Sequence, residues 1–152
     1  MPDDHPCLDR SGYGFSKFMM EEVTRYCQRR DEEVDVINLR LSSVAPDGGM
    51  PEKRTVSPLR TWTLGSITFM CLSDAVRAFA LAAEAPHRAG VRTLNAASPR
   101  AWVADPVADK LRGWWGDEVD VSWFEQPGRE FDSAYDVRAI RKELGFAAGI
   151  TE

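Results

Sequence analysis

The sequence predicts an α/β fold organised around a parallel sheet. The first observation is a run of β-branched and aliphatic residues at 34–41, which lacks the polar alternation of a half-exposed strand and is typical of a strand buried on both faces. The second is an amphipathic helix at 13–30 directly before it, which suggests half of a β-α-β unit. The third is composition: 152 residues with 43% hydrophobic and 28% charged residues suit one globular domain.

The helix at 13–30 is predicted from one apolar stripe whose members recur at spacings of three, four and seven or eight residues. The members of this stripe are Phe15, Phe18, Met19, Val23, Tyr26 and Cys27. Glu21 and Glu22 fall on the other face, and we expect them to meet solvent or a dimer partner.

The rest of the chain continues the alternation. Residues 45–60 read as a loop that could face a substrate, or equally as a linker. Further predictions, in order, are a strand within 64–72, a helix capped by Ser73 and stopped by Pro86, a strand at 91–97, a helix opened by Asp105 and Pro106, a strand at 119–124, and a helix from Asp136 to a stop at Gly145.

Charge and composition narrow the function classes. The formal net charge of -5 argues against a general nucleic-acid surface. No apolar run reaches the ~20 residues of a membrane span, and the polar N-terminus does not resemble a signal or transit peptide, so we expect a cytoplasmic protein without a membrane partner. Three widely spaced cysteines favour buried free thiols over a disulfide framework or a zinc site, and we expect no metal.

The motif that carries chemistry is Tyr13-Gly-Phe-Ser-Lys17. On a helix, positions i and i+4 lie about 6 Å apart on one face, which places a phenol beside an ammonium. The positive charge favours the phenolate, so the tyrosine can take or give a proton while hydride moves to or from a nicotinamide. Alone, this pattern is also satisfied by an ordinary surface pair on a helix.

The order of the motifs resembles the extended short-chain dehydrogenase/reductase family of the NAD-dependent epimerase/dehydratase type. The matching segments are Asp4-His5-Pro6, Tyr13-Gly-Phe-Ser-Lys17, Val36-Ile37-Asn38-Leu39-Arg40, Leu72-Ser-Asp74-Ala75, Thr93-Leu-Asn95-Ala, and the ending Asp136-Val-Arg to Leu144-Gly145-Phe146. The resemblance covers nearly the whole chain, but only the C-terminal part of the family pattern.

The resemblance implies roles for particular residues. Tyr13 would be the general acid/base, and Lys17 would bind the nicotinamide ribose of NAD or NADP and assist Tyr13. Ser43 and Val44 would line the nicotinamide pocket, although this match is looser than the others. Residues 1–44 would form the C-terminal part of an incomplete Rossmann-type nucleotide-binding fold, and residues 45–152 would build mainly a small mixed substrate-binding region, with the strand near 91–97 returning to the sheet.

The departures from the family leave two functions open. The glycine-rich fingerprint that cradles a dinucleotide is absent from the sequence. The first hypothesis is an NAD(P)-dependent epimerase, dehydratase or dehydrogenase acting on a sugar or nucleotide-sugar, weakly active or inactive alone. Arg54 and Trp62 would then be low-grade substrate contacts. The second is a non-catalytic module that forms a homodimer or binds a missing N-terminal half.

Overall fold

The computed structural model describes residues 1–6, 11–53 and 67–149, and it confirms the α/β class with parallel strands. The elements in chain order are α1 (Gly12–Arg30), β1 (Asp35–Leu41), β2 (Ser43–Ala45), β3 (Phe69–Cys71), α2 (Leu72–Glu84), β4 (Gly90–Ala96), α3 (Val107–Trp115) and α4 (Arg138–Leu144).

Two parallel strand pairs form the sheets. β1 pairs with β4 from Asp35 opposite Gly90 to Leu41 opposite Ala96, and β2 pairs with β3. Within the described ranges no strand pairs with the other edge of β1. Helices lie against both faces of β1, but six of its seven residues are only half-buried and Leu41 is exposed, so the full burial expected for residues 34–41 is not observed; one edge of the strand has no partner among the described strands.

The two faces of β1 meet different helices. Ile37 and Leu39 pack into a hydrophobic cluster with Ala75 and Ala78 of α2 and Ile140 of α4. On the opposite face, α1 makes polar contacts to the alternate residues of the strand. Because successive strand side chains point to opposite faces, the sheet lies between α1 on one side and α2 with α4 on the other.

A second hydrophobic cluster lies around α3. It joins Ile67 to Val103, Val107 and Leu111, with Trp114 and Phe131 packed against it. This cluster forms the body of the region that follows β4. The structure thus has two centres of packing, one under the β1–β4 sheet and one under α3.

Helix α1 faces the sheet with its polar side. Glu21, expected at the surface, is buried at 8% exposure, and both its oxygens accept hydrogen bonds from Arg40 of β1. Thr24 accepts a hydrogen bond from Asn38 at 3.0 Å. The predicted apolar stripe instead points outward; Phe15 and Val23 are 61% and 55% exposed. The helix is amphipathic, as predicted, but its apolar face points away from the sheet and its polar face packs against it.

Several local predictions need correction. The N-cap of α2 is Cys71, while Ser73 lies inside the helix and donates to an oxygen of Asp47 at 2.7 Å. The N-cap of α3 is Pro106, because the helix begins one residue after the proline. Residues 119–124 are turns instead of a strand. The stop at Gly145 is confirmed, with φ of 64° in the left-handed region.

Three features of the described residues concern membranes, metal ions and thiols. No helix there is long and apolar enough to cross a membrane. The same residues contain no group of three or more His, Cys, Asp or Glu side chains placed to hold a metal ion. Cys71 is buried, as expected, whereas Cys27 is exposed because it lies on the outer side of α1. Cys7 lies outside the described residues.

Candidate active site

Tyr13 and Lys17 stand side by side in the first turns of α1. The Lys17 ammonium lies 5.2 Å from the centre of the Tyr13 ring, and both side chains are exposed, Tyr13 at 72%. The ammonium otherwise meets the Met20 sulfur at 3.9 Å. No described residue hydrogen-bonds the Tyr13 hydroxyl. The phenol and the ammonium are thus adjacent and open to a ligand.

The start of α1 is fixed locally by its cap. The Ser11 side chain accepts a hydrogen bond from the backbone N–H of Gly14 at 3.0 Å, which satisfies one of the free N–H groups at the helix start. Ser16 donates to the backbone carbonyl of Tyr13 at 2.7 Å. The Ser16 hydroxyl is therefore hydrogen-bonded to the helix backbone next to the Tyr13–Lys17 pair.

An ion pair fixes α1 to the sheet. Arg40 Nε donates to Glu21 Oε1 at 2.7 Å and Arg40 Nη2 donates to Glu21 Oε2 at 2.9 Å, a two-pronged contact between largely buried side chains. Arg40 also donates to the carbonyl oxygen of His5 at 3.1 Å. One arginine therefore joins β1, α1 and the N-terminal segment.

The N-terminal segment is held at the carboxyl end of β4. The Asp3 carboxylate accepts from the backbone N–H of Asn95 at 2.5 Å, and the buried Asn95 amide donates to the carbonyls of Met1 and Asp136. Burial raises the pKa of Asp3, whereas the hydrogen bond from the Arg138 guanidinium lowers the pKa of Asp136 to about 2. Asn95 therefore joins the N-terminal residues Met1 and Asp3 to the segment that precedes α4.

Ser43 and Val44 follow the carboxyl end of β1. Both belong to β2; the Ser43 N–H donates to the Thr68 carbonyl at 3.2 Å, and Val44 is 41% exposed. Ser43 is the register partner of Phe69, a residue that lines a cavity in the described part of the chain. Ligands of open α/β sheets bind beyond the carboxyl ends of the strands.

This cavity has a volume of about 520 Å³ and lies between the loop after β2 and the segment after β4. Its lining consists of Met50, Lys53, Phe69, Ser98, Arg100, Ala101, Trp102, Val103, Ala104 and Phe131. Neither Tyr13 nor Lys17 is in this lining. The structure therefore presents the helix pair and the cavity as two separate features.

Two cations and two aromatic rings give the cavity its chemistry. The Lys53 ammonium lies 4.7 Å from the centre of the Trp102 ring, and the Trp102 N–H donates to the Pro51 carbonyl at 2.6 Å. Arg100 lies 5.9 Å from the Phe131 ring and donates to Asp132 at 3.2 Å. Lys53 has no carboxylate partner among the described residues, so its charge is available to an anion.

Sequence reasoning found some of these residues and missed others. It placed Tyr13 and Lys17 together correctly, while Arg54 and Trp62 lie outside the described residues. It named none of Lys53, Arg100 and Trp102 as a site residue. The composition of the loop at 45–60 was the available signal for Lys53, but nothing in the sequence links that loop to residues fifty positions later.

Comparison with known proteins gives matches in structure. No protein-family model and no curated protein sequence matches the chain. The structure of MoeE5 in complex with UDP-glucuronic acid and NAD matches with a TM-score of 0.61 and 25% identity, covering 99% of this chain and 55% of that chain. UDP-glucose 4-epimerase from Bifidobacterium longum with NAD+ and UDP matches with a TM-score of 0.56 and 17% identity over 91% of this chain. WbmF from Bordetella bronchiseptica, also with NAD+ and UDP, matches with a TM-score of 0.55 and 18% identity over 99% of this chain.

The chain has the fold of the extended short-chain dehydrogenase/reductases. It spans about half the length of the solved structures it matches, 50% to 55% of each. The two less identical structures support the fold alone. The motif order and the coordinates therefore agree on the fold family.

Proposed function

We propose that the chain is the catalytic-helix and substrate-binding part of an NAD(P)-dependent epimerase, dehydratase or dehydrogenase that acts on a nucleotide-sugar. The observation that carries the proposal is the Tyr13–Lys17 contact on the first helix of a fold that matches MoeE5 over nearly all of this chain. MoeE5 binds UDP-glucuronic acid and NAD. The residues of α1 and β1 would bind the cofactor, and most residues after β1 would bind the substrate.

The residues present fit a nicotinamide cofactor on this side. The exposed Lys17 ammonium has donors for two ribose hydroxyls, and Ser43 and Val44 follow the strand end beside which a nicotinamide would lie. When bound, NAD or NADP supplies the hydride acceptor. Tyr13 and Lys17 supply the proton chemistry.

The proton step follows from the pair itself. If a sugar hydroxyl were oxidised to a ketone here, a bound NAD or NADP would accept the hydride and the Tyr13 oxygen would accept the hydroxyl proton. The Lys17 ammonium, 5.2 Å from the centre of the Tyr13 ring, places a positive charge beside this proton acceptor. In the reverse direction, Tyr13 would return the proton to the same oxygen.

The cavity provides a place for the nucleotide end of the substrate. Trp102 and Phe131 offer ring faces for a base, and the Lys53 ammonium offers a counter-charge for a diphosphate or a uronate carboxylate. Arg100 is already paired with Asp132, so Lys53 is the more available of the two cations. A ligand that is both aromatic and anionic matches this lining.

Titration of the folded chain with UDP and with UDP-glucuronic acid tests the substrate side. We expect saturable binding that Lys53→Ala weakens about tenfold, because one charge contact is lost. Lys142→Ala, an exposed lysine on α4, is the matched control and should leave the affinity unchanged. Equal affinities of the Lys53 and Lys142 variants would contradict the assignment of the cavity.

A second function, a partner-binding module without catalysis, is favoured by one observation. The outer face of α1 exposes Phe15, Met19, Met20, Val23 and Tyr26. Apolar patches of this kind mark interaction sites more often than catalytic ones. Cofactor binding without turnover in any combination of substrates would favour this second function over the first.

A further inference from the structure

One wall of the cavity carries an indole ring with a cation resting on it. The Lys53 ammonium lies 4.7 Å from the centre of the Trp102 ring, which is within the range of a cation–π contact. Both residues belong to the lining of the cavity. The ammonium therefore covers the ring on the side where a base would stack.

The Trp102 ring is the fixed member of this pair. The Trp102 backbone N–H donates to the Ile67 carbonyl at 2.7 Å, and the indole N–H donates to the Pro51 carbonyl at 2.6 Å. The neighbouring residues Ala101 and Val103 are buried in the hydrophobic cluster around α3. The ring is thus held from its backbone and from its edge.

The Lys53 ammonium is the movable member. The side chain is exposed, and no described carboxylate forms an ion pair with it. A lysine carries its charge on a flexible four-carbon stem, so the ammonium can leave the ring without breaking such a pair. An exposed cation–π contact is worth only about two- to fivefold in an equilibrium constant. An anion bound in the cavity can therefore draw the ammonium away from the ring.

The second cation of the cavity lining is held in place. The Arg100 guanidinium lies 5.9 Å from the centre of the Phe131 ring. It also donates to the Asp132 carboxylate and to the Gly128 carbonyl, each at 3.2 Å. Of the two cations that line the cavity, Lys53 is therefore the one that can move between a ring and a ligand.

We infer that Lys53 is a specificity-determining residue: its ammonium is a displaceable cover on the Trp102 ring, and the cavity therefore selects ligands that join an aromatic base to an anion. A nucleoside has to displace the ammonium and offers it no counter-charge. A nucleoside diphosphate, or a sugar ester of one, gives the ammonium a phosphate while its base takes the ring. This selection rests on the proposed function, which places the nucleotide end of the substrate in the cavity.

The test is calorimetric titration of the folded chain with uridine, inorganic pyrophosphate and UDP, which present the base, the anion and both together. We expect Lys53→Ala to tighten uridine binding about two- to fivefold, because the ring is uncovered. The same substitution should weaken pyrophosphate and UDP binding about tenfold, because a charge contact is lost. Opposite signs are the signature of a cover, since a disturbed fold would weaken the binding of all three ligands.

Three control variants separate the cover from a simple charge. Lys53→Arg keeps a cation that stacks on aromatic rings, so it should preserve the preference for UDP over uridine. Trp102→Leu removes the ring, and in that background Lys53→Ala should no longer tighten uridine binding. Lys142→Ala on α4 should leave all three affinities unchanged. Circular dichroism checks that each variant keeps the original fold.

NMR tests the cover in the chain without ligand. The ring current of an indole moves the signals of protons above its face upfield. The ε-methylene protons of Lys53 should therefore resonate upfield of those of Lys142, which is exposed on α4. Saturation with UDP should remove this difference, because the ammonium then lies at the phosphates.

The outcomes distinguish the cover from the proposed cavity. If UDP binds and Lys53→Ala weakens it while uridine binding stays the same or weakens, the cover is refuted and the cavity assignment stands. Lys53 methylene signals at the position of Lys142 in the ligand-free chain would refute the cover as well. If neither UDP nor pyrophosphate binds the folded chain, the cavity assignment fails and the cover fails with it.

Discussion

Replacing Glu21 by Gln removes a buried charge and leaves Arg40 without its partner. The Glu21 and Arg40 side chains are 10% and 17% exposed and make two hydrogen bonds of 2.7 and 2.9 Å. Breaking one side of such a pair costs about 3 to 5 kcal/mol, because the remaining charge stays buried. Since Gln keeps one acceptor oxygen, we expect the lower end, about 3 kcal/mol.

The assay is urea unfolding followed by tryptophan fluorescence, with thermal unfolding in parallel. A loss of about 3 kcal/mol corresponds to a fall in Tm of about 6 to 12 °C for a chain of this size. The matched control is Glu22→Gln on the same helix, whose partner Arg25 is 40% exposed; it should cost less than about 1 kcal/mol. Similar losses for the two variants would refute the assignment of Glu21 as a buried anchor.

Three further predictions concern residues at the two ends of α4. Phe146→Ala should lower the free energy of unfolding by about 3 to 5 kcal/mol, measured in urea, because Phe146 is 1% exposed within the main cluster; a loss under 1 kcal/mol would contradict that packing. Gly145→Ala should cost about 1 to 2 kcal/mol through its φ of 64° alone, since a Cβ there meets nothing within 4 Å. Asp136 has a pKa lowered to about 2, so its contribution is present above pH 3.8 and is lost as the pH falls towards 2. At pH 7, Asp136→Asn should therefore cost about 1 to 2 kcal/mol, less than the full shift because Arg138 is exposed. The difference from the original chain should disappear near pH 2, and a pH-independent difference would contradict this reasoning.

The order of the elements was readable from the sequence because each had its own local signal. The helix at α1, the strand at β1 and the stop at Gly145 follow from periodicity and backbone chemistry, and the structure confirms all three. Residues 119–124 alternate like a strand but form turns, since alternation over six residues does not by itself provide a partner strand.

The orientation of α1 was not readable from local pattern. An apolar stripe normally faces the core, but here Glu21 and Thr24 face the sheet because Arg40 and Asn38 on β1 offer charged and polar partners. Those partners lie 19 and 14 residues away, and periodicity within a helix cannot include them. The cavity was not predicted for the same reason, because its lining brings Lys53 together with the distant residues Trp102 and Phe131.

The candidate site, too, was predicted only in part. The Tyr13–Lys17 contact follows from helix geometry, so its placement was predicted and is now seen. Its chemical role stays a prediction, as do the roles of Ser43 and Val44. The assignment of a substrate cavity arose only from the folded chain, because it depends on strand ends brought together by the parallel β1–β4 and β2–β3 pairs.

The most direct test of the proposed function is titration of the purified chain with NAD+ and NADH, followed by tryptophan fluorescence. We expect saturable binding that Lys17→Ala weakens at least tenfold, that Tyr13→Phe leaves nearly unchanged, and that Lys142→Ala does not affect. No binding up to millimolar cofactor in a folded sample would contradict the claim that this chain binds a nicotinamide cofactor by itself, and equal affinities for the Lys17 and Lys142 variants would contradict the role proposed for Lys17.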